Sequence, residues 1–354
     1  MAFKIIHSAD IHLGSKLDSK LPREKSDERR AEVRATFSRM VEYAKENGVS
    51  VIMLAGDVFD SDRPLKKDKT FFYDVVKANP NIDFLYLRGN HDGKQSYTET
   101  LENLKIFEGD WSCYEYGNIA ISGIEITPEN CISMYSTLKL DRSKKNIVML
   151  HGQAGDAAGN CRINLLKLNN KNIDYLALGH IHSYKMSKLD ERGFYAYCGC
   201  LEGRGFDETG EKGFVLLEVD DKIKSTFIPF ARRTIDEVNV DISGAANEYE
   251  AYIRAKSQIK SSSQNLVRVI LEGEIDFDNE RLSDEVQKHL MTEYYFVSVK
   301  DRTRRIFDLK KLEGDISLKG EFIRCVLNDD KLDESSKREI ISIGLKALDG
   351  REVE

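Results

Sequence analysis

Apolar residues in this chain gather in short unbroken runs: Phe3-Lys4-Ile5-Ile6, Val51-Ile52-Met53-Leu54-Ala55, Phe84-Leu85-Tyr86-Leu87, Asn146-Ile147-Val148-Met149-Leu150 and residues 173–178. Runs of that length, apolar at nearly every position, predict strands buried on both faces, as in parallel sheets. Between the first three, the spacing becomes helical. Val33, Phe37, Met40, Val41 and Ala44 predict a helix over 29–47 closed by Gly48, and a second helix is expected over 69–77, before Pro80. Strand, helix and strand in alternation predict βαβ units and an α/β core with a mainly parallel sheet. A further helix is expected near 97–107, and 113–126 alternates like short hairpin strands with turns at Gly117-Asn118 and Gly123.

From Gly193 the pattern predicts short strands over 194–197, 213–219 and 224–230, joined by the loop Gly203-Arg204-Gly205-Phe206-Asp207-Glu208-Thr209-Gly210. Its glycines and Lys212 suggest a phosphate-binding P-loop, but Glu211 stands where that loop needs lysine and no helix follows, which excludes it. Past Arg233 the alternation changes: strand 235–240, helix 245–259, a Ser261-Ser262-Ser263 linker, strand 266–271, helix 280–290, strand 294–299. A charged tail follows with amphipathic helices over 318–327 and 335–348. Three parts are therefore expected: 1–232, 233–300 and 301–354.

At 354 residues the chain can bury a large core without staples. Its six cysteines form no CxxC pair and no charged-then-apolar leader precedes Asp10, so a reduced, cytoplasmic protein is expected. No apolar run approaches the ~20 residues needed to cross a bilayer. A net charge of −7 argues against a protein that coats nucleic acid, but leaves open an enzyme with a local basic face. Lys16, Lys20, Arg23, Lys25, Arg29, Arg30 and Arg34 form either a solvated surface or a rim that contacts phosphates.

The chemistry lies where the apolar runs stop. The first ends in Asp10-Ile11-His12-Leu13-Gly14, whose Asp10 and His12 would point the same way from extended backbone. The second ends in Gly56-Asp57-Val58-Phe59-Asp60, the third in Gly89-Asn90-His91-Asp92, and the last two in His151-Gly152 and Gly179-His180-Ile181-His182. Of seven histidines, five fall in these motifs, leaving His7 and His289 outside. Open α/β sheets bind ligands at the carboxyl ends of their strands. Mixed oxygen and imidazole donors without cysteine suit a catalytic centre of two divalent metals, Mn²⁺ foremost, with Fe²⁺, Zn²⁺ or Mg²⁺ as alternatives, and Asp57 is the natural bridge.

Taken in this order, Asp-x-His, Gly-Asp-x-x-Asp, Gly-Asn-His-Asp, His-Gly and Gly-His-x-His resemble the calcineurin-like metallophosphoesterases, and within them the SbcD-type DNA-repair exonucleases related to the meiotic-recombination nuclease. The resemblance covers Phe3 to about Phe230. It implies an αββα sandwich with a smaller α/β cap domain for DNA recognition and a short helical tail. It further implies one metal on Asp10, His12, Asp57 and His182 and another on Asp57, Asn90, His151 and His180, with water attacking phosphorus in line. His91 would serve the leaving sugar oxygen and Asp60 would hold the His91 imidazole. Arg204 and Arg88 are candidates for substrate phosphate, with a plain surface turn the alternative at Arg204. Ser61 stands where protein phosphatases of the superfamily carry arginine, which disfavours that branch.

A phosphodiesterase acting on DNA ends is thus expected. Hydrolysis of a small phosphodiester or phosphoprotein, or a DNA-end scaffold for a motor protein, are the alternatives. The resemblance also implies an SbcC-like coiled-coil ATPase partner gripping helix 335–348. A homodimer is expected too, through Phe71, Phe72, Val75, Leu101 and Leu104.

Overall fold

Every residue of the strand Val51–Ala55 is buried, and successive side chains of a strand point to opposite faces. Ile52 and Leu54 pack with Val33, Phe37 and Met40 in one apolar cluster. Val51, Met53 and Ala55 pack with Ile121, Ile147, Met149 and Ala177 in another. The strand thus has helix on one face and a second sheet on the other, which is why its sequence is apolar throughout. Each such side chain contributes about 1.5–3 kcal/mol by leaving water.

The computed structural model describes residues 2–17, 21–93, 96, 99–155, 162–277, 279–306 and 316–348. They fall into two units, Met1–Ile235 and Asp236–Glu354. In the first, the order is β1 (Phe3–Ser8), α1 (Arg23–Glu46), β2 (Val51–Ala55), α2 (Lys66–Lys77), β3 (Asp83–Leu87), β4 (Leu104–Phe107), β5 (Ser112–Tyr116), β6 (Ile119–Gly123), α3 (Met134–Thr137), β7 (Lys145–His151), β8 (Tyr175–Gly179), β9 (Lys185–Lys188), β10 (Phe194–Tyr197), β11 (Gly213–Val219) and β12 (Ile223–Pro229). One six-stranded sheet runs β12-β11-β1-β2-β3-β4 and the other β5-β6-β7-β8-β10-β9. Strands β1 to β4 are mutually parallel, as are β6, β7, β8 and β10. Helices α1 and α2 cover the first sheet. Among the described residues, the outer face of the second carries α3, a 3-10 turn at Leu165–Leu168 and apolar loop residues such as Ile163 and Ile173. The fold is the expected mixed α/β sandwich, with a thin fourth layer.

The second unit holds β13 (Ile235–Asp241), which begins at the last residue of the first, then α4 (Glu248–Gln258), β14 (Leu266–Glu272), β15 (Glu274–Ile275), α5 (Leu282–Leu290), β16 (Phe296–Asp301), β17 (Arg304–Arg305), α6 (Leu318–Leu327) and α7 (Glu334–Leu348). A β13-β14-β16 sheet shares its apolar cluster with α4 and α5. Helices α6 and α7 make a cluster of their own from Ile323, Val326, Ile341 and Leu345. No helix among the described residues is long and apolar enough to cross a membrane.

Two expectations are corrected. Part of 97–107 is strand: Leu104–Phe107 pairs parallel to β3, because a four-residue stretch with three apolar positions reads alike in either state until a neighbouring edge offers it hydrogen bonds. Residues 97 and 98 lie outside the described residues. Helix α1 begins at Arg23, after Pro22, since proline's fixed φ suits a helix start. Of the residues expected to form a dimer face, Phe72 and Leu104 are buried, while Phe71, Val75 and Leu101 pack against the same cluster and stay partly exposed.

Candidate metal centre

The parallel strands β1, β2 and β3 of one sheet and β7 and β8 of the other release their loops toward one place. The loop after β1 runs beside the loop after β2, with the N–H of Asp10 donating to Gly56 O (2.9 Å), His12 to Asp57 O (3.0 Å) and Leu13 to Val58 O (2.8 Å). Asp10 and His12 do reach one site, but not from extended backbone: both have φ of 51°, as does Asp57, and His180 has φ of 99°. Left-handed backbone at a non-glycine residue costs of order 1–3 kcal/mol and persists where surrounding bonds impose it. Here four residues at one site carry that strain.

Glycine precedes Asp57 and Asn90 for a steric reason. A Cβ at Gly56, whose φ is +95°, would lie 2.1 Å from His151 Nδ1, and one at Gly89 would lie 2.2 Å from Asp57 Oδ1. Each glycine thus leaves room for a functional group from another loop. Asp92, which the sequence left without a role, is buried and accepts the N–H groups of Val58 (3.2 Å), Phe59 (2.8 Å) and Gly89 (3.1 Å), pinning the second loop to the third.

Three donor clusters result, one of them, His12, Asp60 and His91, at the rim. Ligand atoms of Asp10, His12 and His182 lie within 4.8 Å of one another, and so do those of Asp57, His151 and His180. Asn90 joins the second group, its Oδ1 lying 3.0 Å from both His151 Nε2 and His180 Nδ1. Asp57 Oδ2 stands between the groups, 3.4 Å from His151 Nε2 and 3.9 Å from His12 Nε2. The seven residues named as ligands from sequence are all here.

The electrostatics match. Burial pushes Asp57 up, but the hydrogen bond and charge of His151, with the charge of His12, override it and hold the carboxylate well below its usual range. His151, which burial alone would lower, is raised to about 9 by Asp57 and Asp10. Burial raises Asp10 to about 6 and lowers His12 to about 4. A cation fits these residues: the donors mix carboxylate, amide and imidazole without thiolate, and the Nε2 atoms of His12 and His182 face each other at 3.3 Å.

His91 is exposed at the rim, its ring 5.0 Å from that of His12 and its backbone N–H donating to Asp57 Oδ1 at 2.8 Å. Asp60 lies within 4.8 Å of both His12 and His91, but its close contact is with His12 Nδ1, at 2.9 Å. The expected Asp60–His91 pairing is therefore redirected to His12. Arg204 is partly exposed and tied to Asp60 and to Glu208. Arg88 pairs with Glu125 and lines a cleft of about 270 Å³ with Asn90, His151, Arg162 and His180. Within the basic run before and within α1, Arg29 is buried against Glu32 and Glu202, while Arg34, Arg30 and Lys25 keep exposed surface and pair with Asp68, Asp27 and Glu28. Lys20 lies outside the described residues. Glu208, 2.7 Å from His182 Nδ1, was not singled out, because an acidic residue in a glycine-rich loop carries no periodic signal.

Comparison with known proteins gives the following. The calcineurin-like phosphoesterase family model matches residues 3–184. The chain is 25% identical over 347 residues to a DNA double-strand break repair protein Mre11 of Sulfurisphaera tokodaii, covering 89% of this chain and 84% of that protein. It is 24% identical over 320 residues to the protein of that name from Methanosarcina acetivorans, covering 84% of this chain and 50% of that protein. It is 28% identical over 295 residues to the uncharacterized metallophosphoesterase YhaO of Bacillus subtilis, covering 76% and 71%.

Proposed function

The chain belongs to the calcineurin-like phosphoesterase family, metal-dependent hydrolases with a dinuclear centre, and from that premise we propose that it is a phosphodiesterase that cuts DNA at its ends. The observation that carries the reading is the convergence of seven oxygen and imidazole donors, split into two groups around Asp57, at the carboxyl edge of both sheets. The resemblance to proteins named for double-strand break repair supports DNA as the substrate.

Asp10, His12, Asp57 and His182 would hold one ion, and Asp57, Asn90, His151 and His180 the other. Two divalent ions, Mn²⁺ by our reading, supply stabilisation of charge on the attacking and leaving oxygens of an in-line displacement. His91, exposed and with its own N–H bonded to Asp57, would donate a proton to the leaving sugar oxygen. Arg88, held by Glu125 at the edge of the cleft beside Asn90, would donate hydrogen bonds to a substrate phosphate. The test is Mn²⁺-loaded protein with end-labelled single- and double-stranded DNA, with and without EDTA. Metal-dependent shortening from an end is expected. Hydrolysis of a nitrophenyl phosphodiester with DNA left intact would favour the small-substrate reading instead.

Residues 1–232 are read as the nuclease domain, 233–300 as a cap that faces DNA and 301–354 as the tail for an SbcC-like coiled-coil ATPase. Helix α7 turns Ile341 and Leu345 toward α6 while Ile340 and Ile343 remain 36% and 44% exposed, which leaves an apolar edge for a helix-in-groove contact. Deleting residues 330–354 is expected to abolish co-purification with the ATPase and to keep metal content and cleavage of short DNA. Unfolding of the truncated chain would assign the helix to the protein's own core.

A further inference from the structure

Loop 203–210 carries side chains that the proposed reaction has not used. Glu208 is buried, and its Oε1 lies 2.7 Å from His182 Nδ1. The same oxygen accepts from Arg204 Nε (3.0 Å) and Nη2 (2.8 Å), while Oε2 accepts the Arg204 backbone N–H at 2.7 Å. Arg204 Nη1 donates in turn to Asp60 Oδ1 at 2.8 Å, and that oxygen is 2.9 Å from His12 Nδ1. One guanidinium therefore joins two carboxylates, and each carboxylate meets the Nδ1 of one imidazole.

An ionised carboxylate only accepts. Glu208 thus selects the tautomer of His182 with the proton on Nδ1, which leaves its Nε2 lone pair pointing inward. The Nε2 atoms of His182 and His12 are 3.3 Å apart, and His182 Nε2 is 3.9 Å from Asp10 Oδ1. Arg204 Nη2 also lies 3.2 Å from His182 Nδ1; having no acceptor, it acts by holding Glu208. The other donor group is braced differently. His151 Nδ1 is 2.9 Å from Ala55 O, the backbone carbonyl of a wholly buried strand, with no loop charge involved.

We infer that loop 203–210 is the selective brace of one metal position: Glu208 and Arg204 are positioning residues for the ion held by Asp10, His12 and His182, and not for the ion held by Asp57, His151 and His180. The two ions then bind with separable affinities, the first governed by the loop. This rests on the two-ion centre of the proposed function. The test is equilibrium dialysis of the full chain against Mn²⁺, with bound metal counted by elemental analysis and Co²⁺ absorbance as a second readout.

Wild type is expected to hold two equivalents. Glu208→Ala and Arg204→Ala are expected to keep one at unchanged affinity and to weaken the other ~10–100-fold, the usual effect of losing a ligand's outer partner. Glu208→Gln, which keeps an acceptor oxygen and the side-chain volume, is expected to fall between and guards against a variant that fails to fold. Equal weakening of both equivalents, or of neither, overturns the inference. A wild-type count of one would remove the two-ion centre and the inference with it, whereas absence of DNA cleavage with two ions bound would touch only the choice of substrate.

Discussion

The two sheets supply unlike halves of the site. Loops of the first bring both carboxylates and the amide, Asp10, Asp57 and Asn90, together with His12; loops of the second bring only imidazoles, His151, His180 and His182. Contacts cross between them: the His180 N–H donates to both oxygens of Asp10 (3.0 Å each) and His151 Nε2 lies 3.4 Å from Asp57 Oδ2. Neither sheet alone supplies a complete donor group. Carboxylates come from one side and imidazoles from the other, so an ion bound between them would also join the sheets, and its binding energy would become folding energy.

Removing the bridge should break this arrangement most completely. Asp57→Ala takes away the one carboxylate that faces both donor groups, and it also leaves His151 without its strongest partner. Expected are loss of both ions by elemental analysis and cleavage at background level. One ion retained at full occupancy would show that Asp57 belongs to a single position.

His91→Ala separates chemistry from coordination. His91 sits at the rim on the first sheet's side, outside both donor groups around Asp57 and Asp10. A rate loss of ~10²–10⁴-fold is expected with metal content unchanged, the range for a general acid. Metal loss would make His91 a ligand.

Metal loading itself should show as stability. At a free Mn²⁺ concentration of 100 times Kd, each independent site adds about 2.7 kcal/mol, and a domain of this size gains roughly 2–4 °C in Tm per kcal/mol. Calorimetry with and without metal measures it. A Tm indifferent to Mn²⁺ would mean that the apolar seam between the sheets carries their union unaided.

What the sequence disclosed follows the same division. Strands β2, β3, β7 and β8 were legible because both faces are buried and their central positions had to be apolar. Strand β9 was not: Lys185–Lys188 is an edge strand with mostly exposed side chains, and its pairing with β10 is decided by tertiary context. The residue types at the strand ends named the donors, but not their backbone. Asp10 and His12 read as extended, whereas bonds to Gly56 O and Asp57 O from another loop hold them left-handed. Glu208 stayed hidden because what gives it meaning, His182 Nδ1, lies on a different loop.

The smallest expected effect concerns a polar tie in the seam itself. His7, on β1, sits 3.0 Å from Tyr175 Oη, on β8, and is fully buried. Burial lowers its pKa to about 3 from the ordinary 6.5, so the folded state prefers the neutral ring. Between pH 6.5 and 3 the unfolded chain binds the proton that the folded chain refuses. His7 therefore contributes stability that is present above pH 6.5 and lost as pH falls, by at most about 1.4 kcal/mol per pH unit. Asp10 and Asp92, both raised to about 6 by burial, titrate nearby with the opposite sign, since their contribution is lost as pH rises. Comparing metal-free wild type with His7→Gln cancels them, because glutamine keeps a partner for the Tyr175 hydroxyl and does not titrate. Urea unfolding at pH 7 and pH 5 should show wild type losing about 2 kcal/mol more than the variant over that interval. Parallel losses in the two proteins would mean that His7 takes up its proton without leaving the seam, and that the apolar packing around it yields more readily than its burial implies.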